Sequence, residues 1–147
     1  MQTNAGTFDF WIYVDSTGNK DVDLLYLYVD GNNRIRVNYD SSNGYIAVQH
    51  IAGGNLSSGR TNTSVITTNT WFHCKVRWDT SAHSGLYLKV TADTTTGESN
   101  SADSGTTALG TWSGASGTFS VGDPTGNDGA SPLVYIDVIN TYNNWQP

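Results

Sequence analysis

Several segments of this chain interleave cations and aromatic rings with apolar residues at every second position. In Trp71 to Trp78 the apolar Phe72, Cys74, Val76 and Trp78 alternate with His73, Lys75 and Arg77. Leu86, Leu88 and Val90 alternate with Tyr87 and Lys89 in the same way. Trp11, Tyr13, Tyr26, Tyr28, Arg34 and Arg36 also fall out of phase with the apolar series around them. In an extended chain successive side chains point to opposite sides, so these residues face away from the core. Rings stack on the apolar faces of sugars, and Arg or Lys pairs with hydroxyls or carboxylates. The expected ligand surface is therefore Trp11, Tyr13, Tyr26, Tyr28, Arg36, His73, Arg77 and Tyr87. Trp112, in a long polar stretch, serves there as a stacking platform or else as a plug that pins its loop. The plainer alternative is that charged and aromatic residues coat any solvent-facing strand, where aromatics are favoured anyway. Two sheets have two outer faces, so the set need not form one patch.

A second candidate lies in the run Gly122 to Gly129, where Asp123, Asn127 and Asp128 place two carboxylates and an amide in a glycine-rich turn. Such a set suits an oxygen-ligated calcium ion. Asp15, Asn19, Asp21 and Asp23 form another acidic loop. Neither matches the twelve-residue EF-hand pattern, and Asp and Asn are also the best turn formers. Glycoside hydrolysis generally needs two carboxylates flanking the bond. Glu98 stands alone in a polar loop, and Asp9 and Asp137 are single strand carboxylates that meet only across strands. Parts suited to a polysaccharide lyase are present in Gln49, His50, His73, Arg34, Arg36, Arg77, Tyr87 and Lys89, although alternation sends Gln49 and His50 to opposite sides. No nucleophile-elbow motif occurs. Cys74 is the lone cysteine, set in an apolar phase, and reads as a buried inert thiol. Asn55-Leu56-Ser57 and Asn62-Thr63-Ser64 match the glycosylation sequon, as expected by chance in a chain this rich in Asn, Ser and Thr.

The elements that must carry these residues follow from composition and period. The 147 residues make about one domain. Gly, Ser, Thr and Asn make up 64 of them, and twelve of thirteen acidic residues are Asp, which disfavours helices and favours turns. Seventeen aromatic residues supply a core and argue against disorder. Thirteen acidic against seven basic residues, a net charge of −6, argues against non-specific nucleic-acid binding. No stretch is apolar for the length of a membrane span. Met1 to Asn4 carries no signal-peptide pattern, so the expectation is a protein that works where it is made, part of an exported particle, or a domain of a longer chain. The two-residue period predicts a first strand from Gly6 to Val14. Leu24–Val29, Arg34–Tyr39 and Tyr45–Ile51, joined by Asp-Gly and Asn-Gly turns, read as a three-strand meander. Gly53 to Gly59 reads as a loop and Thr63 to Thr67 as a short strand. Trp71–Trp78 and Leu86–Val90 are strands, Asp93 to Gly117 is polar, and Phe119–Gly122 and Leu133–Tyr142 close the chain. About nine strands without a helix imply one antiparallel β-sandwich or barrel over residues 1–147.

Three segments together resemble the laminin-G-like branch of the concanavalin A-like lectin and glucanase superfamily. They are Gly6-Thr7-Phe8-Asp9-Phe10-Trp11-Ile12-Tyr13-Val14, then Asn69 to Asp79 followed by Gly85-Leu86-Tyr87-Leu88-Lys89-Val90, and last Phe119-Ser120-Val121-Gly122 with Tyr135 to Tyr142. Their order and spacing cover most of the chain. The family's usual N-terminal strand, ahead of the first segment, is missing or shortened. The resemblance implies an all-β, antiparallel β-sandwich of the concanavalin A-like jelly-roll type, often with calcium at one rim. It also implies sugar binding or adhesion, with some members glycosidases or polysaccharide lyases. The superfamily's glucanases carry closely spaced Glu residues on one strand, which this chain lacks. Val48-Gln49-His50 and Tyr87-Leu88-Lys89 faintly resemble alginate-lyase strands, without the accompanying arginine-rich strand. The resulting expectation is a non-catalytic carbohydrate-binding or adhesion module for neutral or acidic polysaccharide, extracellular or on a particle surface. A virion or cell-surface decoration domain that forms a homo-oligomer is the alternative of another class, and a polysaccharide lyase the third.

Overall fold

The computed structural model describes residues 4–16, 21–98, 100–103, 109–110, 117–122 and 133–147. Ten strands are formed: β1 (Ala5–Val14), β2 (Val22–Asp30), β3 (Asn33–Asp40), β4 (Tyr45–Ala52), β5 (Asn55–Arg60), β6 (Trp71–His83), β7 (Leu86–Asp93), β8 (Ser101–Asp103), β9 (Thr118–Val121) and β10 (Val134–Tyr142). They build two five-stranded sheets, ordered β10-β1-β6-β7-β8 and β5-β4-β3-β2-β9. All strand pairs within the sheets are antiparallel. The two sheets pack face to face, so the expected antiparallel β-sandwich is the fold. Among the described residues no helix is long and apolar enough to cross a membrane.

The apolar phase of each strand supplies the layer between the sheets. Phe8, Phe10, Ile12 and Val14 from β1 meet Cys74, Val76 and Trp78 from β6 and Leu88, Val90 and Ala92 from β7. The other sheet contributes Leu25, Leu27, Ile35, Val37, Ile46 and Val48. Phe8 joins the layers, with its ring centroid 4.8 Å from that of Trp78 and 5.4 Å from that of Phe119 on β9. Gly6 lets the Trp78 indole approach, because a Cβ there would stand 2.3 Å from the ring. Two groups in this layer are chemically silenced. His50 is fully buried in the inward phase of β4, and burial pushes its pKa down to about 4. Burial pushes the Cys74 thiol far up, which keeps it an inert core residue.

The meander β2-β3-β4 forms as the Asp-Gly and Asn-Gly turns predict. Two expectations nearby are corrected. Asn55–Arg60 is a strand and not a loop: it pairs along β4 through backbone hydrogen bonds after the Gly53-Gly54 turn. As an edge strand it needs little apolar alternation, and Leu56 is exposed on it. Thr63 to Thr67 is not a strand. Ser64, in the left-handed region at φ 60°, bends the segment so that its N–H donates to Asn43 O, while Ile66 plugs into the core and donates to Gly44 O. A register shift at Asp23/Leu25 turns both Leu24 and Leu25 inward, which strict alternation forbids.

Candidate functional site

The residues expected to form one ligand surface lie on two opposite faces. Trp11 and Tyr13 (β1), His73 and Arg77 (β6) and Tyr87 (β7) project from the outside of the β10-β1-β6-β7-β8 sheet. Tyr26 and Tyr28 (β2) and Arg36 (β3) project from the outside of the other sheet. Trp112 and the expected calcium ligands Asp123, Asn127 and Asp128 lie outside the described residues, as does Asn19. Among the described residues no group of three His, Cys, Asp or Glu side chains is placed to hold a metal.

On the first face the cations are covered. Thr7, Arg77 and Lys89 form one cross-strand row, and Asp9, Lys75 and Thr91 the next. Thr95 N–H donates to Asp93 Oδ1 and Gly97 N–H to Thr95 Oγ1, two side-chain-stabilised turns that fold the chain back after β7. They bring Glu98 over the cations. Arg77 Nη1 donates to Glu98 Oε2 at 3.0 Å and Lys89 Nζ at 2.8 Å, while Lys75 Nζ stands 3.6 Å from Oε1. The C-terminal tail closes the rest: Gln146 N–H donates to Thr7 Oγ1, Thr7 Oγ1 donates to Asn144 O, and Lys75 Nζ donates to Pro147 O at 2.7 Å. Trp145 stacks on His83 with centroids 5.0 Å apart. Arg77 is left 2 % exposed, and burial lowers its pKa. Burial and the Arg77 charge lower that of Lys75. The one glutamate is thus the hub of an internal ion-pair network, not an isolated loop residue. His73 is also buried, with Nε2 2.8 Å from Asp9 Oδ1. Tyr87 is half-buried.

The other half of this face stays open and aromatic. Tyr135, Tyr13 and Trp71 stand side by side across β10, β1 and β6. The Tyr13 centroid is 6.1 Å from Tyr135 and 5.4 Å from Trp71, and Trp11 lies 5.1 Å from His73 in the next row. Trp71 and Tyr135, absent from the expected set, are 42 % and 49 % exposed. Their signal was present in the sequence: Trp71 shares the phase of His73, and Tyr135 alternates with Ile136.

The second outer face is more open and keeps its cations near the surface. One row runs through Ser120, Tyr26, Arg36, Gln49 and Ser58, one residue from each of the five strands. Tyr26 and Tyr28 are stacked at 5.6 Å with an interplanar angle of 24°. Burial raises the Tyr26 pKa, so its hydroxyl stays protonated and able to donate. Arg36 Nε donates to Asp23 Oδ1 at 2.5 Å, and Arg34 donates to Gly31 O at the β2-β3 turn. Beside Arg36, a groove of about 540 Å³ is lined by Tyr45, Ala47, Gln49, Ser58 and Arg60. The Arg60 guanidinium lies 4.9 Å above the centre of the Tyr45 ring. The hydrogen bond to Asp40 raises the Tyr45 pKa. Burial would raise Asp40, but hydrogen bonds from Tyr45 and Asn43 carry it below the usual carboxylate value. The result is an ordered set of rings, donors and amides at the mouth of a groove. Arg60 and Ser58 escape a reading of the sequence because β5 carries no apolar alternation to reveal it as a strand.

The lyase-like residues are not brought together. Gln49 faces the groove of one sheet, His50 points into the core, and Tyr87 and Lys89 lie on the opposite sheet. Both carboxylates nearest the cations of the first face, Asp9 and Glu98, are engaged in ion pairs. No protein-family model matches the chain, and no curated protein matches it.

Proposed function

We propose that this domain is a non-catalytic carbohydrate-binding or adhesion module that takes an acidic glycan across the outer face of the β5-β4-β3-β2-β9 sheet. The observation that carries this reading is the continuity of the stacked Tyr26–Tyr28 pair, Arg36 and the groove beside it. The rings offer apolar surface to pyranose faces, and Gln49, Ser58 and Tyr45 offer hydrogen bonds to hydroxyls. Arg34, Arg36 and Arg60 supply charge for a carboxylate, which Arg recognises in a forked geometry. The resemblance to concanavalin A-like jelly rolls supports the same reading. Affinity electrophoresis and calorimetry against alginate, polygalacturonate and neutral xylan test it. Arg36→Ala with Arg60→Ala is expected to weaken uronate binding at least tenfold, about 1.4 kcal/mol, and Tyr26→Ala to do the same. Unchanged binding in these variants, or no binding of any glycan by the native domain, overturns the proposal.

A second reading, a structural domain that assembles with copies of itself, is favoured by the edge strand β10, which exposes Tyr135, Val138 and Tyr142 beside the exposed Leu133. Light scattering separates the two: a stable trimer or larger ring supports assembly, and a monomer supports the binding module.

A further inference from the structure

We propose that the open aromatic half of the opposite face is a second, separate glycan site, selective for a neutral polysaccharide chain, so that one domain bridges two different chains. The site itself does not rest on the reading of the groove face; the bridging does. The site rests on Trp71, Tyr13 and Tyr135, which form a continuous row of rings across three strands with the outer two substantially exposed. Trp11, half-buried and packed on the buried His73, extends the row of rings by one position. Rings left open on an otherwise polar surface are costly to hydrate, and a sugar covers them without expelling charge.

The surroundings select the occupant. Among the described residues, every cation on this face is held at the other end: Arg77 and Lys89 hydrogen-bond to Glu98, and Lys75 to the Pro147 carbonyl. Beside the rings stand the Tyr13 and Tyr135 phenols, the Asn69 amide and the exposed Asp137 carboxylate. These groups accept and donate hydrogen bonds to hydroxyls, and Asp137 repels a uronate. Tyr13 O–H already donates to Asn69 Oδ1 at 3.1 Å, which holds the central ring in place. The rings are tilted by 44° and 56° to their neighbours, so they do not make one plane. A flat crystalline surface would touch only one of them, whereas a single twisted chain can contact them in turn.

The test uses cellohexaose, xylohexaose and soluble mixed-linkage β-glucan as neutral probes and polygalacturonate as the acidic one, with circular dichroism to verify folding. The native domain is expected to bind at least one neutral probe. Trp71→Ala with Tyr135→Ala should weaken that binding tenfold or more and leave polygalacturonate binding unchanged, and Trp71→Phe with Tyr135→Phe should restore most of it. The native domain should also link β-glucan-coated beads to a polygalacturonate surface, and the double alanine variant should not. The proposal is overturned if no neutral probe binds, or if the double alanine variant binds the neutral probes as the native domain does. It is also overturned if Tyr26→Ala with Arg36→Ala abolishes neutral binding, which would make one site of two. A change from oligomer to monomer in the Trp71/Tyr135 variant, without any loss of glycan binding, would instead assign the rings to a contact between copies. If polygalacturonate fails to bind while the Trp71-dependent neutral binding persists, the groove-face reading falls and the neutral site stands, though bridging is lost.

Discussion

His50 stands where β4 alternation demands an apolar side chain, between Val48 and Ala52 and opposite Ile35. In the unfolded chain an imidazole gains its proton near pH 6.5, whereas this one stays neutral down to about 4. Between those values the unfolded state binds a proton that the native state refuses. Stability therefore falls as pH drops from 6.5 to 4, by on the order of 3 kcal/mol from this residue alone. Replacing the ring with a hydrocarbon of similar size removes that slope. We predict that the melting temperature of His50→Leu changes much less between pH 7 and pH 4.5 than that of the native domain. An equally steep decline in the variant would show that other groups set the acid sensitivity.

Glu98 belongs to the scale of elements, since its role depends on where the segment after β7 is folded. Arg77 emerges from the middle strand of its sheet, and the returning loop provides the carboxylate that permits its burial. Removing one partner of a buried pair leaves a charge without compensation, typically at a cost of about 3–5 kcal/mol. Glu98 is itself partly exposed, so water reaches Arg77 in its absence and the cost lies toward or below the lower end. Glu98→Ala is expected to lower unfolding stability in urea by about 2–3 kcal/mol, and Glu98→Gln by less. A loss under about 0.5 kcal/mol would identify the network as an incidental surface contact. The same element explains what the sequence could and could not convey. Alternation located β1, the β2-β3-β4 meander and the β6-β7 hairpin, because their inward residues, His50 apart, are almost all apolar. It placed Arg77 and His73 on the outward phase correctly. It could not show that outward means covered here, since Glu98 and the tail residues Asn144 to Pro147 reach these positions by long-range contacts with no local signature. Nor could it divide Tyr26, Tyr28 and Arg36 from Trp11 and Tyr13, because phase distinguishes inside from outside but not one outside from the other.

At the scale of the whole molecule, stability rests on the layer packed between the sheets, and Gly6, paired with Trp78 across β1 and β6, is what lets the largest ring of that layer lie flat against its own sheet. The hydrogen at this position allows the Trp78 indole to lie against β1, where Phe8 and, beyond it, Phe119 complete a ring cluster spanning both sheets. A methyl group would meet three indole carbons at 2.3 to 2.9 Å, and the fully buried ring has no free space to yield. Overpacking of this kind typically costs about 1–3 kcal/mol. Gly6→Ala should lower the thermal midpoint accordingly, and Gly6→Ala with Trp78→Phe should recover part of the loss. Non-recovery would place the strain in the β1 backbone. The net charge of −6 likewise has meaning only at this scale. Of the ten described aspartates eight lie on strands, several of them at strand ends beside turns, and three cations gather beneath Glu98, so the average charge is a poor guide to either surface.

The different settings of the indoles have a spectroscopic consequence. Trp78 is sealed between the sheets while Trp71 lies open to solvent. A soluble quencher such as iodide should reach the emission of Trp71 in the native domain and that of Trp78 only after the sheets separate. A sugar bound over Trp71 would shield it from the quencher without altering the buried component. In a variant whose Trp11, Trp112 and Trp145 are replaced by Phe, one fluorescence titration therefore distinguishes occupancy of the outer rings from loosening of the core, with no label attached to the protein.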